Sequence, residues 1–383
     1  MFLFLITFLA LYGGMHIYAF FKRKDALHPR PHLTCFLIFW MFLMAFTPLL
    51  VRVAEQFGME TAAQAIAWPG YLWMGFLFIF TSALFFTDVV RHSVRFVTSS
   101  APRQLPEFLS PRIATVVVLV VAVIASMYSF IEAGQIQSRH VVITSTKLPA
   151  STSRIRIVQI SDVHIGLLLG EKRLRLILDR IKEAGPDIIV STGDLIDGKL
   201  NRDDSISGRN PLAALLATAR APLGKFAVIG NHEVYAGLLQ ALAFSRAAGF
   251  TTIRNQSLQL ANGITITGID DRAINPKALA DTNVEKNLVN AVRNNSMHLL
   301  LKHRPEILTE SDGHFDLQLS GHVHGGQIFP FNFLVKLKHP IPCGITTTKS
   351  GSLIYVSRGT GTWGPPMRLC APPEVTIIDI IPK

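Results

Sequence analysis

Ile155-Arg156-Ile157-Val158-Gln159-Ile160-Ser161-Asp162-Val163-His164 is the stretch that decides the fold. Its first half is a short apolar, β-branched run, the pattern of a strand buried in a sheet. Its second half stops abruptly at an aspartate and a histidine. Working outward, residues Glu171 to Ala184 carry leucine and isoleucine at helical spacing with charges between, and Asp187 to Thr192 repeat the strand signal. Pro211 to Arg220 read as another helix and Phe226 to Ile229 as another strand. Such alternation predicts a layered α/β domain with helices outside the sheets. Asn262-Gly263 favours a tight turn between Leu258 to Leu260 and Ile264 to Thr267. Later strands are predicted at His298 to Leu301, Leu317 to Leu319, Leu353 to Val356 and Val375 to Ile381.

Each strand of the central set ends in polar residues of ligand type. They are Ser161-Asp162-Val163-His164, Gly193-Asp194-Leu195-Ile196-Asp197-Gly198, Gly230-Asn231-His232-Glu233, His303, and Gly321-His322-Val323-His324. Ligands of α/β sheets bind at the carboxyl ends of strands, so the five clusters should converge on one crevice. Aspartate, histidine and asparagine without cysteine supply oxygen and imidazole donors suited to Mn, Fe or Zn. A carboxylate can bridge two such ions, and a pair about 3.5 to 4 Å apart clamps both the attacking and leaving oxygens of a phosphoryl transfer. Any one of the 13 histidines is ordinary by itself. The ordered set is not.

In that order the motifs D-x-H, G-D, G-N-H-[DE], a lone His and G-H-x-H resemble the calcineurin-like metallophosphoesterases, over roughly Arg154 to Pro382. The resemblance implies an α/β two-sheet sandwich (αββα) and a centre of two divalent metal ions. It implies Asp162, His164 and His324 on one ion, Asn231, His303 and His322 on the other, and Asp194 bridging. His232 matches the family's histidine that faces the phosphate without binding metal. A bridging hydroxide whose pKa two cations lower would attack phosphorus, with His232 protonating or stabilising the departing oxygen. Asp197 and Glu233 read as groups behind the ligands that orient them. Tyr355 to Arg368 and Pro372-Pro373-Glu374 are similar to a subgroup with bacterial membrane-associated or exported members and a transmembrane vertebrate form. In it Arg358 and Arg368 are candidate phosphate contacts, because a guanidinium suits that geometry; a structural role in a Gly-rich loop is the alternative. Asp270 and Asp271 resemble a subgroup motif and receive no role.

The N-terminal third is of another kind. Mean hydropathy over the chain is +0.35 with only 16% charged residues, too apolar for an ordinary soluble protein. Four stretches, residues 2–21, 33–51, 71–90 and 113–131, approach the ~20 apolar residues that a spanning helix needs. Residues 1–134 are therefore expected to be an all-α transmembrane region, 135–153 a linker, and 154–383 the catalytic domain. Lys22, Arg23, Lys24 and Arg30 lie between the first two spans, and Arg91, Arg95, Arg103 and Arg112 between the last two. The other side has Arg52, with Arg139 and Lys147 after the last span. Basic residues resist translocation, so the catalytic domain is expected outside the cytoplasm. There a disulfide can persist, and Cys343 and Cys370 are candidates for one.

The net charge of +11 is accounted for by these basic clusters beside the spans, and no basic stripe interleaved with aromatics marks a nucleic-acid surface. The expected partners are membrane lipids and a phosphate ester: a phosphodiester, phosphomonoester or pyrophosphate, with a lipid or envelope component favoured. Two rivals are a cytoplasmic UDP-diacylglucosamine-type lipid pyrophosphatase, against the charge bias, and a non-catalytic membrane sensor or scaffold, against a complete ligand set. A transporter is disfavoured because the spans lack paired intramembrane charges.

Overall fold

The computed structural model describes residues 2–27, 30–97, 110–148, 153–198, 210–260, 263–275, 282–292 and 295–383. The chain divides into two compact units, residues 1–131 with 364–369, and residues 132–363 with 370–383.

The first unit is helical: α1 (Phe2–Leu27), α2 (Pro31–Gln56), α3 (Glu60–Val97) and α4 (Pro111–Gly134). Among the described residues α2, α3 and α4 are long and apolar enough to cross a membrane. The expected span at 2–21 lies within α1, and those at 33–51, 71–90 and 113–131 lie within α2, α3 and α4. On α4, Val117, Val120, Val121, Ile124 and Met127 are all more than half exposed. So broad an apolar surface suits lipid rather than water. α2 and α3 approach closely at Gly70, where a Cβ would lie 1.8 Å from Thr47 Cγ2. Trp73 Nε1 donates to His16 Nε2 at 3.0 Å, and His16 Nδ1 meets Tyr12 O at 2.8 Å, so this buried histidine is satisfied on both sides. A charge cluster gathers at the ends of the first and third expected spans, around Asp88. Asp88 takes a 2.6 Å hydrogen bond from Tyr18 and ion pairs with Lys22 at 2.6 Å and Arg91 at 3.7 Å.

The second unit is built around two six-stranded sheets. Strand β2 (Ile155–Ile160) shows how they pack. Successive side chains of a strand point to opposite faces. Ile155 and Ile157 enter a core shared with Ile188 and Val190 of β3 (Ile188–Ser191) and with Ile266, Leu299, Leu301, Leu317 and Leu319 of the other sheet. Val158 and Ile160 face outward, onto α5 (Glu171–Ala184) and its neighbours. Both faces are buried, hence an uninterrupted apolar run. α5 buries Leu174, Ile177, Ile181 and Ala184 on one stripe, pairs Arg175 with Glu171 on the other, and stops at Gly185 in the left-handed conformation.

The first sheet also contains β4 (Lys225–Ala227), β5 (Thr251–Thr252), β1 (Gln137–Ser145) and β12 (Glu374–Pro382), in the order β1-β12-β2-β3-β4-β5. β2 to β5 are mutually parallel, so their carboxyl ends share one edge. α6 (Pro211–Ala217), α7 (Asn231–Ala236) and α8 (Leu238–Ala247) connect them. The second sheet comprises β6 (Gln256–Gln259), β7 (Ile264–Ile269), β8 (Met297–Lys302), β9 (Leu317–Ser320), β10 (Gly344–Thr347) and β11 (Leu353–Val356), in the order β10-β11-β9-β8-β7-β6. Here β7, β8, β9 and β11 run parallel. α9 (Thr282–Asn290) covers its outer face through Val289, packed with Ile269, Leu300 and Phe315. This is the expected αββα sandwich. The hairpin β6–β7 forms with Leu258 opposite Ile266; Asn262 of its expected turn lies outside the described residues.

Two expectations need correction. The segment read as a linker contains β1, which pairs in parallel with β12 from Gln137↔Glu374 to Ser145↔Pro382. β1 is an edge strand whose exposed Ser138, Arg139 and His140 break the apolar pattern. Cys343 and Cys370 are not joined in a disulfide.

Candidate metal centre

The parallel strands deliver their polar termini to one place. Asp162, His164 and His324 bring donor atoms within 4.8 Å of one another, and so do Asp194, His303 and His322. In the first group His164 Nε2 lies 3.1 Å from His324 Nε2, which is 3.4 Å from Asp162 Oδ1. In the second, His303 Nε2 lies 3.1 Å from Asp194 Oδ2 and 3.2 Å from His322 Nδ1. Asp162 and His303 are fully buried, and Asp194 and His164 nearly so.

The backbone is bent to achieve this. Asp162, His164, Asp194, His322 and His324 all take positive φ, between 49° and 72°. Such conformations are uncommon outside glycine and cost free energy, so five of them around one crevice mark a site whose geometry the fold imposes. The neighbouring glycines leave room for it. A Cβ on Gly230 would lie 2.2 Å from Asp194 Oδ1, and one on Gly321 would lie 1.9 Å from Ser161 Oγ and 2.3 Å from Asp162 Oδ2.

Hydrogen bonds behind the donors fix their direction. His303 Nδ1 lies 2.9 Å from Thr192 O, a carbonyl that can only accept, so Nδ1 donates there and Nε2 is the ring atom turned to the cluster. The Glu233 carboxylate accepts from three backbone amides, Asp194 N at 2.9 Å, Leu195 N at 2.5 Å and Gly230 N at 2.8 Å. It therefore clamps two ligand loops through their main chains. Asp197 instead holds His232, with Oδ1 3.0 Å from Nδ1. The His232 ring stands edge-on to His164 at 4.6 Å and is flanked by Tyr235 at 5.5 Å and Trp363 at 5.4 Å. His164, Asp197 and His232 also bring donor atoms within 4.8 Å.

Burial and mutual charge displace the titrations. Burial raises Asp162 to about 6. Burial also pushes Asp194 upward, but His303 and His232 outweigh it and hold this carboxyl well below its ordinary value. His232 is lowered by burial yet carried up to about 9 by Asp194 and Asp197. Burial raises Glu233 to about 7, against the pull of its amide donors. The donor set fits cations: neighbouring imidazole nitrogens and carboxylate oxygens of both groups face each other at contact distance, an arrangement that a shared cation relieves.

Three placements were not foreseen. Arg304, next to His303, reaches His322 Nε2 from Nη1 at 2.7 Å and Asn231 Oδ1 from Nη2 at 3.3 Å. Its Nε is anchored on Asp271 at 2.7 Å. Asp271 lies two residues beyond β7, at the strand end where the sequence shows an aspartate pair, and anchoring Arg304 is the role that pair lacked. The two candidate phosphate contacts, Arg358 and Arg368, have partners of their own. Arg358 Nε is bound to Glu374 Oε2 at 2.6 Å. Arg368 is fully buried and belongs to the helical unit, its amide donating to Ser129 O at 2.8 Å.

The profile of the calcineurin-like phosphoesterases matches residues 155–326. The chain is 38% identical over 264 residues to an uncharacterized metallophosphoesterase of Aquifex aeolicus, covering 68% of this chain and 97% of that one. It is 32% identical over 270 residues to one of Campylobacter jejuni, covering 70% and 69%. It is 30% identical over 279 residues to the transmembrane protein with metallophosphoesterase domain of Danio rerio, covering 69% and 62%. A two-sheet α/β unit with imidazole and carboxylate donors gathered at its strand ends defines a metal-dependent hydrolase. The chain belongs to the calcineurin-like metallophosphoesterases, and it is a metal-dependent phosphoesterase. Its apolar helices point to membrane association.

Proposed function

We propose that the chain hydrolyses a phosphodiester, phosphomonoester or pyrophosphate with two divalent ions, and that it works from a membrane anchor on the extracytoplasmic side. The observation that carries this reading is the pair of donor groups, one around Asp162 and one around His303. Asp194 interacts electrostatically with His164 of one and His303 of the other, which suits it to the bridging position. When bound, the ions supply Lewis acidity and activate water for attack on phosphorus. Asp162, His164 and His324 would hold one, and Asn231, His303 and His322 the other. His232, directed by Asp197, would give a proton to the departing oxygen. Tyr235 and Trp363 wall the side of the site at His232 and narrow the approach of the ester.

Full-length protein in detergent, loaded with Mn, should hydrolyse members of a panel of phosphomonoesters, phosphodiesters and nucleotide lipids, and chelation should abolish turnover. Asp194→Ala should lose metal and activity together, whereas His232→Ala should lose turnover while metal stays bound. Turnover by the Asp194 variant would defeat the two-ion reading. The basic residues counted around the spans support the orientation. Reporter fusions after Lys147 test it: active alkaline phosphatase there agrees, and a fluorescent cytoplasmic reporter would favour a cytoplasmic lipid pyrophosphatase instead.

A further inference from the structure

A surface helix of a soluble domain turns its apolar residues inward and its charges outward. Helix α10 (Phe331–Lys338) does the reverse. Val335 packs inward with Val323, Ile354 and Val356, and His339 at its end is buried. Outward stand Phe331, Phe333, Leu334 and Leu337, exposed by 45%, 57%, 57% and 83%. Its charged residues are Lys336 and Lys338, both exposed and both cationic.

The helix is built onto the rim of the metal centre. Its start is pressed against Gly326, two residues beyond His324, where a Cβ would lie 2.4 Å from Asn332 Cα. Gln327 exchanges two 2.9 Å hydrogen bonds with the Trp363 backbone, and the Trp363 ring flanks His232. At the other end His339 stacks edge-on against His322, with ring centroids 5.2 Å apart.

We propose that α10 dips into the surface of an anionic bilayer and presents lipid-borne phosphate esters to the metal centre. Apolar side chains with lysines at their border are the composition of interfacial helices, whose cations meet anionic headgroups. A chain with three helices of membrane-crossing length keeps such a surface within reach. The substrate class rests on the phosphoesterase reading above; the docking does not.

The test uses full-length protein with Cys35, Cys343 and Cys370 replaced by serine and a nitroxide on Leu337→Cys, reconstituted in phosphatidylcholine vesicles with phosphatidylglycerol. The label should be more accessible to oxygen than to a water-soluble nickel chelate, and a label on Glu183→Cys of α5 should show the opposite. Omitting phosphatidylglycerol, or introducing Lys336→Gln with Lys338→Gln, should raise nickel access at 337. Nickel access in anionic vesicles overturns the docking, as does shielding from both quenchers, which would mean a protein cover such as a second copy. Leu334→Glu with Leu337→Glu should leave hydrolysis of soluble bis(p-nitrophenyl) phosphate unchanged but cut hydrolysis of a lipid-anchored phosphodiester roughly tenfold, a loss of about 1.4 kcal/mol. Equal rates on both substrates would overturn the presentation role. If the label sits in lipid while neither ester is cleaved, the phosphoesterase reading fails and the docking stands.

Discussion

Arg304 Nη1 lies 2.7 Å from His322 Nε2. A guanidinium can only donate, so Nε2 accepts, and the neutral ring carries its proton on Nδ1, the atom that faces His303. Arg304 thereby opposes a cation at His322 twice, by tautomer and by charge. Its weaker 3.3 Å bond to Asn231 helps to hold another donor, but the shorter contact should dominate. Asp271, ion-paired to Arg304 at 2.7 Å, offsets the charge. The two residues should therefore act with opposite signs. Arg304→Ala should tighten Mn binding by about tenfold, or about 1.4 kcal/mol, and Asp271→Asn should weaken it. Mn titration of the full-length protein, with bound metal measured after dialysis, checks both. Weakening by both substitutions would show that Arg304 serves mainly to hold Asn231.

Glu233 should matter more for folding than for chemistry. Its carboxylate satisfies three buried amides, Asp194 N, Leu195 N and Gly230 N. Leaving a buried donor unsatisfied costs about 1 to 3 kcal/mol. Glu233→Ala should thus destabilise the catalytic unit by several kcal/mol, read as a fall in its thermal midpoint in detergent, and Glu233→Gln by less. An unchanged midpoint in the alanine variant would refute the clamp.

Gly321→Ala removes no ligand and no charge, yet its Cβ would intrude on Ser161 Oγ and Asp162 Oδ2. Both atoms sit in the packed wall of the site rather than at the ends of flexible chains. The variant should lose metal affinity and most activity. Gly170→Ala, where nothing lies within 4 Å, is the control and should retain both.

Much of this was legible in the sequence because the sheets are buried on both faces. β2, β3 and β8 read as apolar runs, α5 as a 3.6-residue stripe, and the ligand residues as polar stops after each strand. What stayed hidden depends on partners distant in the chain. β1 pairs with β12, 237 residues further along the chain at every position of the register (Gln137↔Glu374 to Ser145↔Pro382), and its exposed edge leaves no apolar signature. The contact of Asp197 with His232 joins residues of two different loops, which spacing alone does not reveal. Arg358 and Arg368 look alike on paper, and only the structure shows Glu374 beside one and complete burial of the other. The reversed face of α10 was hidden for a related reason: periodicity reveals an apolar stripe but not whether it points inward.

The last prediction concerns the seam where β12 joins β2. Asp379 accepts from Arg156 Nε and Nη2, each at 2.7 Å, while Arg156 Nη1 donates to Ala184 O at 2.8 Å. The Arg156 hydrogen bonds hold the Asp379 carboxyl below its ordinary value of 3.8, against burial. A carboxyl depressed in the folded state adds stability above its unfolded pKa and loses it as pH falls through the folded value. The contribution should therefore be complete at neutral pH and decline only below about pH 4. Asp379→Asn should lower the thermal midpoint of the catalytic unit at pH 7 by an amount equivalent to about 1.5 to 3 kcal/mol, the worth of hydrogen bonds to a charged group. The gap between wild type and variant should narrow as the pH is taken below 4, because protonation makes the wild-type side chain as neutral as the amide. A gap that stays constant from neutral to acidic pH would mean that the pair contributes through shape and packing rather than through the charge on Asp379.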